Sequence, residues 1–127
     1  MNDWFAKRTF GELLDAAAEC WGAREALLHE GRRYTFTELK AEVDAVARGL
    51  IALGVAPGDK VTLWMPNRPE WIFAFFALSK IGAIVVPVNT RFRANDLDYV
   101  VRQSDSSTLI TVDRSGPIDY LELTQKV

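Results

Sequence analysis

Apolar residues recur at steps of three and four over Phe10, Leu13, Leu14, Ala17, Ala18 and Trp21, and this spacing predicts one face of a helix. Thr9-Phe10-Gly11-Glu12 fits a capping box at its start, and Gly22 stops it. Two short strand patterns follow, Ala26-Leu27-Leu28-His29 and Arg32 to Phe36, joined at Glu30-Gly31, where the glycine supplies the positive φ of a tight hairpin. Thr35-Phe36-Thr37-Glu38 repeats the capping box ahead of a second apolar stripe, Leu39, Val43, Val46, Leu50 and Leu53. Gly54 then suits a left-handed helix end, and Pro57-Gly58 prescribes a turn.

From Lys60 the pattern changes to alternating strand and helix. Lys60 to Trp64 reads as a strand, and Asn67 as the cap of a helix over about 69–81, with Pro69 and Glu70 in its first turn. That helix is apolar nearly all round, so it must be covered on most sides. Gly82 ends it, and the unbroken apolar run Ala83 to Val88 predicts a strand buried on both faces. A further helix over about 95–103 leads through Ser104-Asp105-Ser106-Ser107 to a strand at Thr108 to Val112, and from Arg114 the pattern weakens. Strand, helix, strand, helix, strand over 60–112 means parallel pairing with crossover helices. The fold class is therefore α/β: a partial parallel sheet with flanking helices and a small N-terminal β-hairpin.

Composition narrows the function. The 127 residues are 49% hydrophobic and 25% charged, the balance of a single globular domain spanning 1–127 with no second domain. Lys plus Arg is 15 against 17 for Asp plus Glu, a net charge of -2, so no broad positive field exists to hold nucleic acid. One cysteine forbids an internal disulfide, one histidine leaves no Cys/His metal cluster, and the expected compartment is cytoplasmic. The longest apolar run, Trp71 to Leu78, is far short of the about 20 residues a membrane span needs, and Met1 to Arg8 opens no signal-peptide core.

Candidate chemistry is thin. There is no GxxxxGK[ST] and no GxGxxG to wrap phosphates in backbone amides. His29 reads as a solvated or satisfied histidine at a strand end, and Cys20 as a small buried hydrophobe on the apolar helix face. Asp96 and Asp98 open a helix, where negative charge complements the macrodipole. Ligands of open parallel sheets gather at the carboxyl ends of strands, which makes Arg91 and Arg93 anion-facing candidates in Asn89-Thr90-Arg91-Phe92-Arg93. No catalytic residue and no metal ligand is assigned.

Four segments carry a family resemblance that spans about Phe10 to Val112. Tyr34-Thr35-Phe36-Thr37-Glu38-Leu39 resembles the first core motif of the adenylate-forming (AMP-dependent) synthetases, and Leu78 to Asn89 resembles the second. Gly58-Asp59-Lys60-Val61 and Met65-Pro66-Asn67-Arg68-Pro69-Glu70-Trp71 are similar to that family in order and spacing. Pro87-Val88-Asn89-Thr90-Arg91, without the Asp-Pro usual in peptide-synthetase adenylation domains, looks like the acyl- and aryl-CoA ligase branch.

The resemblance implies a two-step reaction in the complete enzyme, with ATP, Mg²⁺ and CoA as cofactors and a carboxylic acid as substrate. The acid attacks ATP to give an acyl-adenylate and pyrophosphate, and the CoA thiol then displaces AMP. The family's phosphate loop, ribose-binding aspartate and catalytic C-terminal lysine have no counterpart in these residues. The expectation is therefore an N-terminal portion of an acid–CoA ligase of fatty acid metabolism, a truncated form or gene remnant, inactive alone and partnered by the remainder of the ligase fold. The alternative is a non-catalytic scaffold or interaction module that pairs with a separately encoded remainder, motivated by the apolar helix 69–81.

Overall fold

The structure is a computed structural model and describes residues 8–127; residues 1–7, most of the stretch read above for a signal peptide, lie outside the described residues. The elements run α1 (Phe10–Trp21), β1 (Glu25–His29), β2 (Arg32–Thr35), α2 (Phe36–Ala52), β3 (Lys60–Trp64), α3 (Pro69–Ile81), β4 (Ile84–Pro87), α4 (Ala94–Ser104), β5 (Thr108–Thr111), β6 (Arg114–Ser115), β7 (Ile118–Asp119) and α5 (Tyr120–Gln125). Both capping boxes form: Thr9 and Thr35 accept the backbone N–H of Glu12 and Glu38, whose carboxylates accept the cap amides in return. The hairpin closes through Glu30 and Gly31, both at positive φ (48° and 81°), so the glutamate shares the strain that the sequence reading gave to glycine alone.

The parallel sheet has the order β4-β3-β5, with Val61 opposite Val85 on one side and Thr108 on the other. Alternation along β3 divides its side chains between two layers. Val61 enters a core with Leu39, Val43, Phe73 and Leu78 of α2 and α3. Trp64 enters another with Val88, Leu97 of α4 and Tyr120 of α5. Helices thus cover both faces of the sheet. Thr62, the buried polar residue of β3, donates its hydroxyl to Ser106 Oγ at 2.7 Å and so carries no unpaired group into the interior.

Several expectations are corrected. β4 is an edge strand, not one buried on both faces: Ile84 is 49% exposed, because β3 and not β4 occupies the centre of the sheet. The cap of α3 is Arg68 rather than Asn67, and it makes no side-chain cap bond. Leu53 stands 84% exposed instead of joining its stripe. The helix ends at Ala52, Gly54 turns left-handed (φ 101°), and Val55 donates its N–H to the Leu50 carbonyl and packs in its place. Cys20 is exposed, since it lies about 90° around the helix from the centre of the Leu14, Ala17 and Trp21 stripe. Phe10 is also 65% exposed; it sits at the first helical position and meets Phe75 edge to face, ring centroids 5.6 Å apart. Residues 114–127, where the sequence pattern fades, form the β6–β7 hairpin and α5.

Three helices meet at one ion cluster. Lys80 of α3 reaches Asp15 of α1 at 2.6 Å and also bonds Asp44 of α2, which Lys40 holds at 2.7 Å. Burial pushes the Asp44 carboxyl up, but the two ammonium groups outweigh it and hold the group below its ordinary range. Burial likewise pushes the Lys80 ammonium down, and the two carboxylates reverse that and hold it above its ordinary range. Close by, a Cβ on Gly11 would lie 2.7 Å from the Ser79 carbonyl oxygen, so glycine is what lets α1 approach α3.

Candidate functional site

The carboxyl ends of β3, β4 and β5 open into the segments 65–68, 88–93 and 112–113. In the middle one, Asn89 Oδ1 accepts the Arg91 N–H at 2.9 Å, which folds the loop back on itself. The Arg93 guanidinium then turns inward on the same loop, donating from Nη1 to the carbonyls of Thr90, Arg91 and Phe92 at 3.0–3.2 Å. Its backbone N–H goes to Asp96, which occupies the N3 position of α4. Asp98, two residues on, accepts from Arg102 Nε at 2.9 Å, one turn further along α4. The two arginines are therefore brought into one loop and are both exposed, but Arg93 spends much of its donor capacity on shaping it.

Arg93 also lines a hollow of about 460 Å³ with Arg114, Asp119, Glu122 and Lys126; Arg91 is not on its wall. The cations there already face acids. Arg114 donates to Asp119 at 2.7 Å, and Lys126 pairs with Glu122 at 3.3 Å. Among the described residues no three His, Cys, Asp or Glu side chains are grouped to hold a metal ion, and no helix is long and apolar enough to cross a membrane. Among the described residues, the strand-end segments 65–68, 88–93 and 112–113 contain no glycine-rich run of backbone amides.

Two further features had no signal in the sequence. A polar cleft of about 490 Å³ lies between the hairpin and the start of α3, walled by His29, Arg32, Tyr34, Asn67, Arg68 and Glu70. Its residues come from separate elements, so no spacing rule joins them. The Glu70 carboxyl is held below its ordinary range, first by its own backbone N–H at the helix start and then by Arg68, whose Nε donates to it at 2.9 Å. Second, an apolar trough of about 630 Å³ runs beside β5, bounded by Leu50, Leu53, Met65, Phe73, Leu109 and Val112. Strand β5 has β3 on one side only, so its other edge and this trough lie open together.

A parallel sheet covered by helices on both faces, beside a small antiparallel hairpin, defines the α/β class. The chain belongs to the AMP-binding enzyme family, which matches residues 14–127. It is 42% identical over 122 residues to the mitochondrial medium-chain acyl-CoA ligase ACSF2 of Rattus norvegicus, covering 94% of this chain and 20% of that protein. Among solved structures it is similar to the N-terminal domain of FACL13 from Mycobacterium tuberculosis (TM-score 0.79, 32% identity, 83% of this chain and 27% of that one). It is also similar to the N-terminal subdomain of Klebsiella oxytoca NpsA in complex with 3-hydroxybenzoyl-AMSN (TM-score 0.84, 26% identity, 89% and 29%). The chain spans 20–22% of the length of the curated relatives it matches first.

Proposed function

We propose that these residues are the N-terminal part of an AMP-forming acid–CoA ligase, which converts a carboxylic acid, ATP and CoA to acyl-CoA, AMP and pyrophosphate with the help of Mg²⁺. The observation that carries this reading is the family match over residues 14–127 together with the 42% identity to a medium-chain acyl-CoA ligase. The role of this part is architectural. It supplies three parallel strands and the helices that cover them, and by itself adenylates nothing, because no group is placed to stabilise charge at a reacting phosphorus. The apolar trough along β5 is the surface on which the rest of the ligase packs, since a trough with Phe73, Met65 and Leu109 on its walls is costly to leave in water.

A chimera tests this. Replacing the matched stretch of the rat ligase by this chain is expected to leave acyl-CoA formation within about tenfold of the parent, a change of about 1.4 kcal/mol in the barrier. A chimera that unfolds cooperatively yet forms no acyl-CoA would sink the ligase reading and favour the non-catalytic module, which the same trough also suits.

A further inference from the structure

Helix α1 is held less firmly than the two helices it packs on. Two of its 12 residues, Leu14 and Ala17, are buried, against five of 13 in α3. Leu13, Ala17 and Trp21 line a hollow of about 350 Å³ whose other walls include Leu27, Ile72 and Phe76. Side chains facing a hollow forfeit dispersion contacts, so this flank of the helix adds little to its docking.

The two ends are fastened unequally. Past the C-terminal end, the Gly22 carbonyl accepts the Thr37 N–H at 3.1 Å and the Arg24 carbonyl accepts the Phe36 N–H at 3.0 Å. These backbone bonds anchor residues 22–24 to the start of α2. At the other end Phe10 is 65% exposed, and the reciprocal bonds of Thr9 and Glu12 are internal to the helix start. Midway along, Asp15 reaches across to Lys80 at 2.6 Å and to Lys40 at 3.8 Å.

We propose that α1 is a hinged arm, which swings off α2 and α3 about residues 22–24 while the rest of the fold stays intact, and that the Asp15–Lys80 pair is its latch. The charges permit such a release. The Asp15 side chain is already 49% exposed, so it rehydrates at little cost. Lys80, 15% exposed, keeps a carboxylate partner in Asp44 after Asp15 leaves, and Asp44 keeps Lys40, so no buried charge is stranded. The core beneath also survives: Val43, Ala77 and Leu78 remain packed with Val61 of the sheet. Opening therefore gives up the seat of Leu14 and Ala17 and one ion pair, and it bares Leu39, Ile72 and Phe76. The arm is independent of the ligase reading.

Native-state hydrogen exchange of the 127-residue chain, followed by NMR at urea concentrations below the unfolding transition, tests the arm. The amides of Leu14 to Trp21 should exchange as one group, about 100-fold or more faster than those of β3 after correction for intrinsic rates. Their urea dependence should be weaker, because opening bares less surface than unfolding. Raising NaCl from about 0.05 to about 1 M, which shortens the screening length to about 3 Å, should speed that group about threefold. Asp15→Asn should give the same increase at low salt and abolish the salt response. Position 15 is exposed, so the variant keeps the fold, which far-UV circular dichroism checks. Exchange of α1 at the rate and urea slope of β3, protection that decays residue by residue from the N-terminal end, or a salt response unchanged by Asp15→Asn would overturn the proposal.

Discussion

Tyr120→Ala is expected to cost about 3–5 kcal/mol of folding free energy, the range for truncating a large buried aromatic. The ring is 1% exposed and stands edge-on to Trp64, with centroids 4.6 Å apart and planes at 68°. Trp64 is itself fully buried in the central strand, so the pair ties the last helix to the middle of the sheet. Val88 and Leu97 complete the cluster and lose their packing with it. Tyr120 is a cleaner target than Trp64, whose indole Nε1 is buried without a hydrogen-bond partner, so that removing it mixes a gain with the loss. Urea denaturation should show the loss as a lower midpoint, whereas Leu121→Ala, at a position 51% exposed, should fall within about 0.5 kcal/mol of the parent. A Tyr120→Ala loss below about 1 kcal/mol would mean that residues 114–127 are not part of the folding unit.

Lys80→Met is expected to cost about 1–3 kcal/mol, between the values for exposed and fully buried ion pairs. The side chain is only 15% exposed and bridges carboxylates on two other helices, which are 49% and 28% exposed. Methionine keeps the aliphatic stem and leaves Asp15 and Asp44 short of one countercharge. Adding Asp44→Asn should restore part of the loss, and the double-mutant cycle gives the coupling directly. The pH dependence has two edges. Asp44 binds its proton less readily folded than unfolded, so its contribution is complete above its ordinary value of 3.8 and is lost as pH falls through the lowered native value. Lys80 holds its proton more readily folded, so its contribution is complete below 10.5 and is lost as pH rises through the raised native value. Stability measured by denaturant midpoint should fall at both edges in the parent. In Lys80→Met the alkaline edge should flatten; an unchanged alkaline edge would show that the cluster is not what titrates.

The legible parts of this fold are those in which local chemistry decides the outcome. Thr9 and Thr35 with their glutamates three residues on mark helix starts because the reciprocal bonds involve only neighbouring residues. Gly82 marks a helix end because the φ of 88° there suits a residue without Cβ. The parallel order of the sheet follows from alternation of strand and helix. What could not be read depends on partners distant in sequence. The run Ala83 to Val88 is as apolar as a central strand, yet the neighbour that would cover its outer edge is not among these elements. Tyr120 looks like one residue in a polar tail until Trp64 is seen beside it. The sites follow the same division: position after a strand groups Arg91 and Arg93, but that the Arg93 guanidinium binds its own loop carbonyls, and that Arg32 and Arg68 share a cleft, depends on the fold.

The central claim is that these residues build a frame that carries no nucleotide chemistry of its own. Acid-dependent exchange of radiolabelled pyrophosphate into ATP by the purified 127-residue chain, assayed with medium-chain acids, tests it most directly. The account predicts no exchange above the protein-free blank. Exchange that needs both the acid and this chain, and that survives purification to homogeneity, would contradict it.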